Sequence, residues 1–115
     1  MSDDFLLWLE ELCAALGRIR ARRMFGGHGL YRGERMFGLV FEQRLYLKTD
    51  AATVDAFRSA GCTPFVYESR GKAITLSYWS VPDDALDSAE AMTPWLRLAW
   101  QAAERQPRAR ARRTD

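Results

Sequence analysis

The chain of 115 residues contains few of the residue types on which metal, redox and nucleophilic sites depend. It has one histidine, His28, and two cysteines, Cys13 and Cys62, which lie far apart and lack CxxC spacing. We therefore expect both thiols to be free and buried, with no metal and no cofactor. No serine or cysteine stands in a nucleophile motif beside a partner base, so we expect no enzymatic activity.

Long apolar runs are also absent. No stretch approaches the roughly 20 apolar residues of a membrane-spanning helix. The acidic start Met1-Ser2-Asp3-Asp4 lacks the basic segment of a secretory signal. We therefore expect a cytoplasmic protein without membrane association. The hydrophobic fraction of 48% and the aromatic fraction of 12% are typical of a folded globule.

Charge is distributed unevenly along the chain. Of the 17 basic and 15 acidic residues, five arginines and one aspartate fall in residues 105–115, which leaves 12 and 14, a net charge of −2, for residues 1–104. By net charge, the globular part is not a basic nucleic-acid binder. We expect one domain over residues 1–105 and a disordered arginine-rich tail over 106–115, because the tail has no apolar face.

Hydrophobic periodicity predicts the first two-thirds of the fold. Apolar residues at helical spacing predict a first helix, capped by Asp3 or Asp4, with basic residues in its last turn and beyond. A three-stranded meander would follow, and then a second helix capped by Thr49 or Asp50. The next two strands would form a hairpin around Arg70-Gly71.

The C-terminal part of the domain leaves two interpretations open. We favour an irregular turn over residues 88–93 followed by a helix over 94–105, since Pro94 suits a first helical turn. The alternative is a helix that begins at Ser88 and is kinked at Pro94. Either way the order is α-β-β-β-α-β-β-α. It predicts an α+β fold of two layers, a five-stranded antiparallel sheet with helices on one face.

Three glycines in four residues, Gly26, Gly27 and Gly29, are interpreted as a structural tight turn or bulge at the start of the first strand. His28, between them, would be a turn residue that tolerates an unusual φ. A phosphate-cradling loop is less favoured because the glycines lead into a strand and no Gly-Lys-Ser/Thr follows. A partner-contact loop is the third interpretation.

Several short motifs occur in a fixed order: Arg-Met-Phe-Gly-Gly-x-Gly-Leu-Tyr at 23–31, Met-Phe-Gly-Leu at 36–39, Arg-Leu-Tyr-Leu-Lys at 44–48, Pro-Phe-x-Tyr at 64–67 and Ser-Tyr-Trp-x-Val-Pro at 77–82. With the leading helix, this set resembles the TfoX (Sxy) N-terminal domain family over roughly residues 5–105. The resemblance implies a two-layer arrangement like that of secretion-chaperone-like folds. Members proper carry a second, C-terminal domain. A chain of 115 residues has no room for it, so we expect a single-domain member.

The resemblance also implies a role. In the family that role is coactivation of competence genes alongside the cyclic-AMP receptor protein. We therefore expect a protein-interaction module in competence-type transcriptional regulation, with such a regulator as its protein partner. Surplus strand aromatics also favour association as a homodimer. Motif and chemistry select as partner-binding candidates Arg22, Arg23, Lys48, Tyr78 and Trp79. Strand alternation should send Tyr78 and Trp79 to opposite faces.

The alternative function is weak, nonspecific nucleic-acid binding by a local basic strip and the tail. Its candidate residues are Arg18, Arg20, Arg32, Arg35, Arg108, Arg110, Arg112 and Arg113.

Overall fold

The computed structural model describes residues 2–24 and 26–107, in which one antiparallel sheet is packed against three α-helices. The elements in chain order are α1 (Asp3–Leu12), β1 (Arg20–Met24), β2 (Gly27–Arg32), β3 (Arg35–Phe41), β4 (Arg44–Lys48), α2 (Val54–Ser59), β5 (Pro64–Ser69), β6 (Lys72–Ser80) and α3 (Ala89–Arg105). The strands lie in the order β1-β2-β3-β4-β6-β5. The predicted α+β class is confirmed.

The sheet has six strands in the described residues, and the prediction of five was wrong because it missed β1. The sequence prediction places basic residues in the last turn of the first helix and beyond. Instead α1 ends at Leu12, a short 3₁₀ helix covers Ala14–Leu16, and Gly17 at φ +74° reverses the chain. Strand β1 lies at the sheet edge, where backbone pairing with β2 suffices, so its sequence shows no apolar alternation.

The glycine cluster consequently has a different place from the predicted one. It connects β1 to β2 and continues into β2, and it does not open the first strand. His28 lies within β2, opposite Arg23 on one side and Val40 on the other, and it is not among the described residues with positive φ. The prediction of a turn histidine was therefore wrong.

The first two helices begin at residues other than the predicted caps. Ser2 caps α1, its Oγ accepting the Phe5 N–H at 3.1 Å, while the predicted cap residues Asp3 and Asp4 occupy the first turn. Their charge there still complements the helix dipole. No basic residue lies in the last turn of α1.

The N-cap of α2 is Thr53, not the predicted Thr49 or Asp50. The helix therefore begins three residues later than a cap at Asp50 would place it. Asp50 instead closes a turn before the helix. Its Oδ1 accepts the backbone N–H groups of Ala52 at 3.1 Å and Thr53 at 3.2 Å. Side chains of this type often stabilise such turns in preference to the helix itself.

Helix α3 begins at Ala89, so the favoured start at residue 94 was wrong. Ser88 is the cap, and its Oγ accepts the Ala91 N–H at 3.0 Å. Pro94 lies inside the helix and deprives it of one backbone hydrogen bond. Burial of Met92 and Leu96, both fully inaccessible, keeps the segment helical.

One hydrophobic cluster, here called the helix-side cluster, joins all three helices to one face of the sheet. Its fully buried members include Leu9, Leu30, Phe37, Leu47, Phe57 and Leu96. Cys13 and Cys62 belong to it, and both are free and buried, as predicted. Within the described ranges, none of the helices has the length and apolar character needed to cross a bilayer.

Candidate functional site

The opposite face of the sheet, here called the open face, has a small apolar floor of its own. Leu39 and Phe65 are each only 3% exposed, yet neither belongs to the helix-side cluster. The Phe65 ring packs edge-on against Phe41 and Tyr46, with centroids 5.3 and 4.9 Å apart. Strand side chains thus cover this face where helices cover the other.

On this face, cationic side chains lie on tyrosine rings. We call these residues the cation–tyrosine row: Arg20, Arg22, Tyr31, Lys48 and Tyr78. The guanidinium groups of Arg20 and Arg22 each lie 5.5 Å from the centroid of the Tyr31 ring. The Lys48 ammonium lies 5.2 Å from that of Tyr78. Both distances are within the range of cation–π attraction.

The two halves of the row influence each other electrostatically although β2 and β6 are separated by two strands. Burial raises the pKa of the Tyr78 phenol far above its ordinary value, and the nearby Tyr31 raises it further. Tyr78 is therefore a neutral hydrogen-bond donor at any physiological pH. Side chains from β1, β2, β4 and β6 thus contribute to the same face of the sheet.

The cations of the row have no acidic partner among the described residues. Ion pairs there join Arg58 with Asp55 and Arg105 with Asp50. Lys48, 8% exposed, donates from Nζ to the Ser77 hydroxyl at 2.6 Å. Burial lowers the pKa of Lys48, and the charge of Asp50 offsets part of that effect. The row can therefore accept an anionic group from outside.

The five predicted partner-binding residues are divided between the faces. Arg22, Lys48 and Tyr78 belong to the row. Arg23, opposite His28, alternates away from Arg22. Trp79 packs against the helix-side cluster, so Tyr78 and Trp79 do face opposite ways.

Sequence reasoning assigned Arg20 only to the nucleic-acid alternative and gave Tyr31 no site role. Recognition of β1 as a strand would have placed Arg20 and Arg22 on the same face, two residues apart. Their shared position over Tyr31 then follows from the antiparallel pairing of β1 with β2.

Two arginines of the predicted basic strip stabilise α3. Arg35 Nη1 donates to the carbonyl oxygens of Ala103 at 2.7 Å and Gln106 at 2.8 Å, at the C-terminal end of the helix. The guanidinium of Arg32 lies 4.8 Å from the centre of the Trp100 ring. These contacts employ both cations inside the fold and leave them less available to a nucleic-acid backbone.

The other strip residues are spread over different places. Arg18 is exposed, and Arg20 donates to the Gly33 carbonyl at 2.9 Å in addition to its contact with Tyr31. The tail candidates Arg108, Arg110, Arg112 and Arg113 lie outside the described residues.

The three glycines bring backbone and side chains close together near the β1–β2 connection. Gly26 has φ +79°, a conformation that side-chain-bearing residues rarely adopt. A Cβ atom on Gly27 would lie 2.2 Å from the Val40 carbonyl oxygen, and one on Gly29 would lie 2.6 Å from the Met24 sulfur. Gly27 therefore permits close approach of β3.

A cleft of about 300 Å³ opens beside this connection, between Gly26–His28 and the turn formed by Glu42 and Gln43. Burial lowers the pKa of His28, and the charge of Arg23 adds to the effect. No group of three or more metal-ligating side chains occurs in the part of the chain that the structure describes.

The sequence profile of the TfoX N-terminal domain matches residues 11–103, which include the whole row. The chain is 35% identical over 68 residues to the DNA transformation protein TfoX1 of Aliivibrio fischeri, covering 59% of this chain and 32% of that protein. It is 28% identical over 86 residues to the DNA transformation protein TfoX of Haemophilus influenzae, covering 70% and 40%. The aligned part is less than half the length of either relative.

Proposed function

The chain belongs to the TfoX N-terminal domain family, and we propose that it is a protein-interaction module in competence-type transcriptional regulation. The names of the two relatives, both DNA transformation proteins, support a regulatory role connected with DNA uptake. The proposed role is cytoplasmic and involves no catalysis. The resemblance that suggests the role also makes the cyclic-AMP receptor protein the first partner to test.

The observation that carries this proposal is the composition of the open face. Arg22 and Lys48 lie on tyrosine rings, above a floor that no helix of the described chain covers, and neither has a described carboxylate partner. Aromatic rings and arginine are the residue types enriched at the centres of protein interfaces. The proposed contact surface is therefore the cation–tyrosine row together with its apolar floor.

Affinity capture from native cytoplasm tests the proposal, with the full chain as bait and with and without nuclease. We expect capture to survive nuclease and to weaken only modestly between about 50 and 200 mM salt, where phosphate-dependent binding falls steeply. The purified receptor protein is then tested directly as a candidate partner.

Two neighbouring arginines provide a matched pair of variants. Arg22→Ala should abolish capture because it removes a cation of the row, while Arg23→Ala should retain it, since Arg23 alternates to the other side of β1. Capture that disappears with nuclease would favour the nucleic-acid alternative. Equal effects of the two substitutions would contradict the assignment of the open face.

A further inference from the structure

Lys48 is a buried cation with a neutral partner. The chain has two lysines, and Lys72 is exposed while Lys48 is 8% exposed. An ammonium group has three N–H donors, and the described hydrogen bond of Lys48 goes to the Ser77 hydroxyl. Because buried charges in proteins are normally paired, and no described carboxylate forms an ion pair with Lys48, this site is suited to an anion from outside.

The backbone around Lys48 is held in a specific irregular shape. The pairing of β5 with β6 shifts so that Ser77 and Tyr78 have no partner residue on β5. Thr49, 2% exposed, fixes this bulge by donating to the Ser77 carbonyl from its N–H at 2.8 Å and from its hydroxyl at 3.2 Å. Bulges commonly redirect a side chain, and this one places Tyr78 over Lys48.

The ammonium group nevertheless lies near solvent. Its hydrogen-bond partner, the Ser77 hydroxyl at 2.6 Å, belongs to an exposed residue. An incoming acceptor would therefore approach Nζ from the side of Ser77. The neutral phenol of Tyr78 supplies a further donor close by.

We propose that Lys48 receives a single carboxylate, the side chain of an aspartate or glutamate on an acidic segment of the protein partner. The Lys48 ammonium and the Tyr78 hydroxyl would donate to it, and Arg22 would contact the surrounding acidic segment from the rim of the row. This inference rests on the proposed function and adds the chemical class that the open face recognises. A charge-assisted pair of this kind is short and directional.

A carboxylate side chain fits the site better than a nucleic-acid backbone does. Phosphate backbones are bound by several exposed cations spread along a groove. Here the cation is a single buried lysine beside the Tyr78 ring, not one of several exposed cations along a groove. A single carboxylate on a flexible side chain can enter where a phosphate backbone cannot follow.

The presence of two lysines makes a direct test possible on the full chain. Lysine labelled with ¹³C at the ε carbon gives two side-chain NMR signals, which Lys48→Met and Lys72→Met assign. The probes are N-acetyl-glutamate N-methylamide, its neutral glutamine counterpart, and dimethyl phosphate as a phosphodiester. We expect the carboxylate probe to shift the Lys48 signal in a saturable manner, with affinity roughly tenfold or more above both other probes. The Lys72 signal should not saturate.

The second arm measures partner capture. Lys48→Met keeps the length of the side-chain stem and removes the charge, and we expect it to weaken capture roughly tenfold or more, with Lys72→Met unchanged. In the NMR titration, absence of a saturable Lys48 shift, or preference for dimethyl phosphate, would overturn the inference. If Lys48→Met fails to fold, the NMR titration of the unsubstituted chain decides alone. Capture that is lost in Arg22→Ala and kept in Lys48→Met would leave the proposed function standing and refute the role of Lys48.

Discussion

The two faces of the sheet bury similar side chains by different means. On the helix-covered face, Phe37 and Leu47 are fully inaccessible within a cluster that spans three helices. On the open face, Leu39 and Phe65 are almost as inaccessible, but the rings packed on Phe65 come from strands, not from helices. Low exposure alone therefore does not identify the core. A face covered only by strand side chains leaves room for a partner, whereas the other face is already occupied by helices.

The largest expected difference between the faces concerns the two buried phenylalanines. Phe37→Ala should lower the free energy of unfolding by about 4 kcal/mol, through lost transfer energy and a cavity that the helices keep open. Phe65→Ala should cost about 2 kcal/mol, because its neighbours Phe41 and Tyr46 can collapse over the space. Urea melts of the two variants measure this difference. Equal costs would mean that the open face is a second core.

Glycines offer a finer comparison. A Cβ on Gly38 would lie 3.0 Å from the Tyr46 carbonyl oxygen and 3.2 Å from Leu47 Cδ2, so Gly38→Ala should cost about 2 kcal/mol by overpacking. On the open face a Cβ on Gly29 would meet the sulfur atoms of Met24 and Met36. Methionine side chains move readily, so Gly29→Ala should cost less than about 1 kcal/mol. The comparison fails if thermal melts give the reverse order.

Arginines that serve the helices should differ from arginines of the row. Arg35→Ala removes two hydrogen bonds from the end of α3 and should lower stability by about 1–2 kcal/mol. Arg22→Ala removes an exposed side chain and should change stability by less than about 0.5 kcal/mol. Chemical denaturation of both variants, with capture measured in parallel, distinguishes the two roles. A strongly destabilised Arg22→Ala would assign that arginine to the fold.

The smallest expected effect is the pH dependence contributed by Asp50. The hydrogen bond from Arg105, with further ones from Ala52 and Thr53, holds the pKa of Asp50 below its ordinary value of 3.8. A lowered folded-state pKa gives stability that is present above 3.8 and is lost as the pH falls through the lower folded value. Melting temperatures between about pH 7 and pH 2 should therefore fall less steeply for Asp50→Asn than for the unsubstituted chain. Parallel profiles would exclude this contribution.

Local turn chemistry made much of the fold predictable from sequence. Arg70 and Gly71 have φ values of +52° and +78°, the geometry of a two-residue hairpin turn, and this hairpin was placed correctly. Strand β1 was missed because charged residues carry no apolar period and its stability comes from pairing with β2. The start of α3 was missed because tertiary packing outweighs the local effect of Pro94.

The candidate site was predictable only in its parts. Lys48 and Tyr78 were selected from their motifs, and alternation correctly separated Tyr78 from Trp79. The electrostatic effect of Tyr31 on Tyr78 depends on the order of the strands in the sheet, a property that no local pattern encodes. Sequence spacing therefore identified some residues of the row but did not indicate that they lie on the same face of the sheet.

The two buried thiols allow the rate of local unfolding near each cysteine to be measured without any substitution. Burial raises the pKa of Cys13 to about 12, and burial also raises that of Cys62, so neither is appreciably ionised at neutral pH. Cys13 follows α1, and Cys62 lies between α2 and β5. A thiol reagent consequently labels each cysteine only during excursions that expose it. The two labelling rates would report separately how often the ends of α1 and α2 leave the sheet.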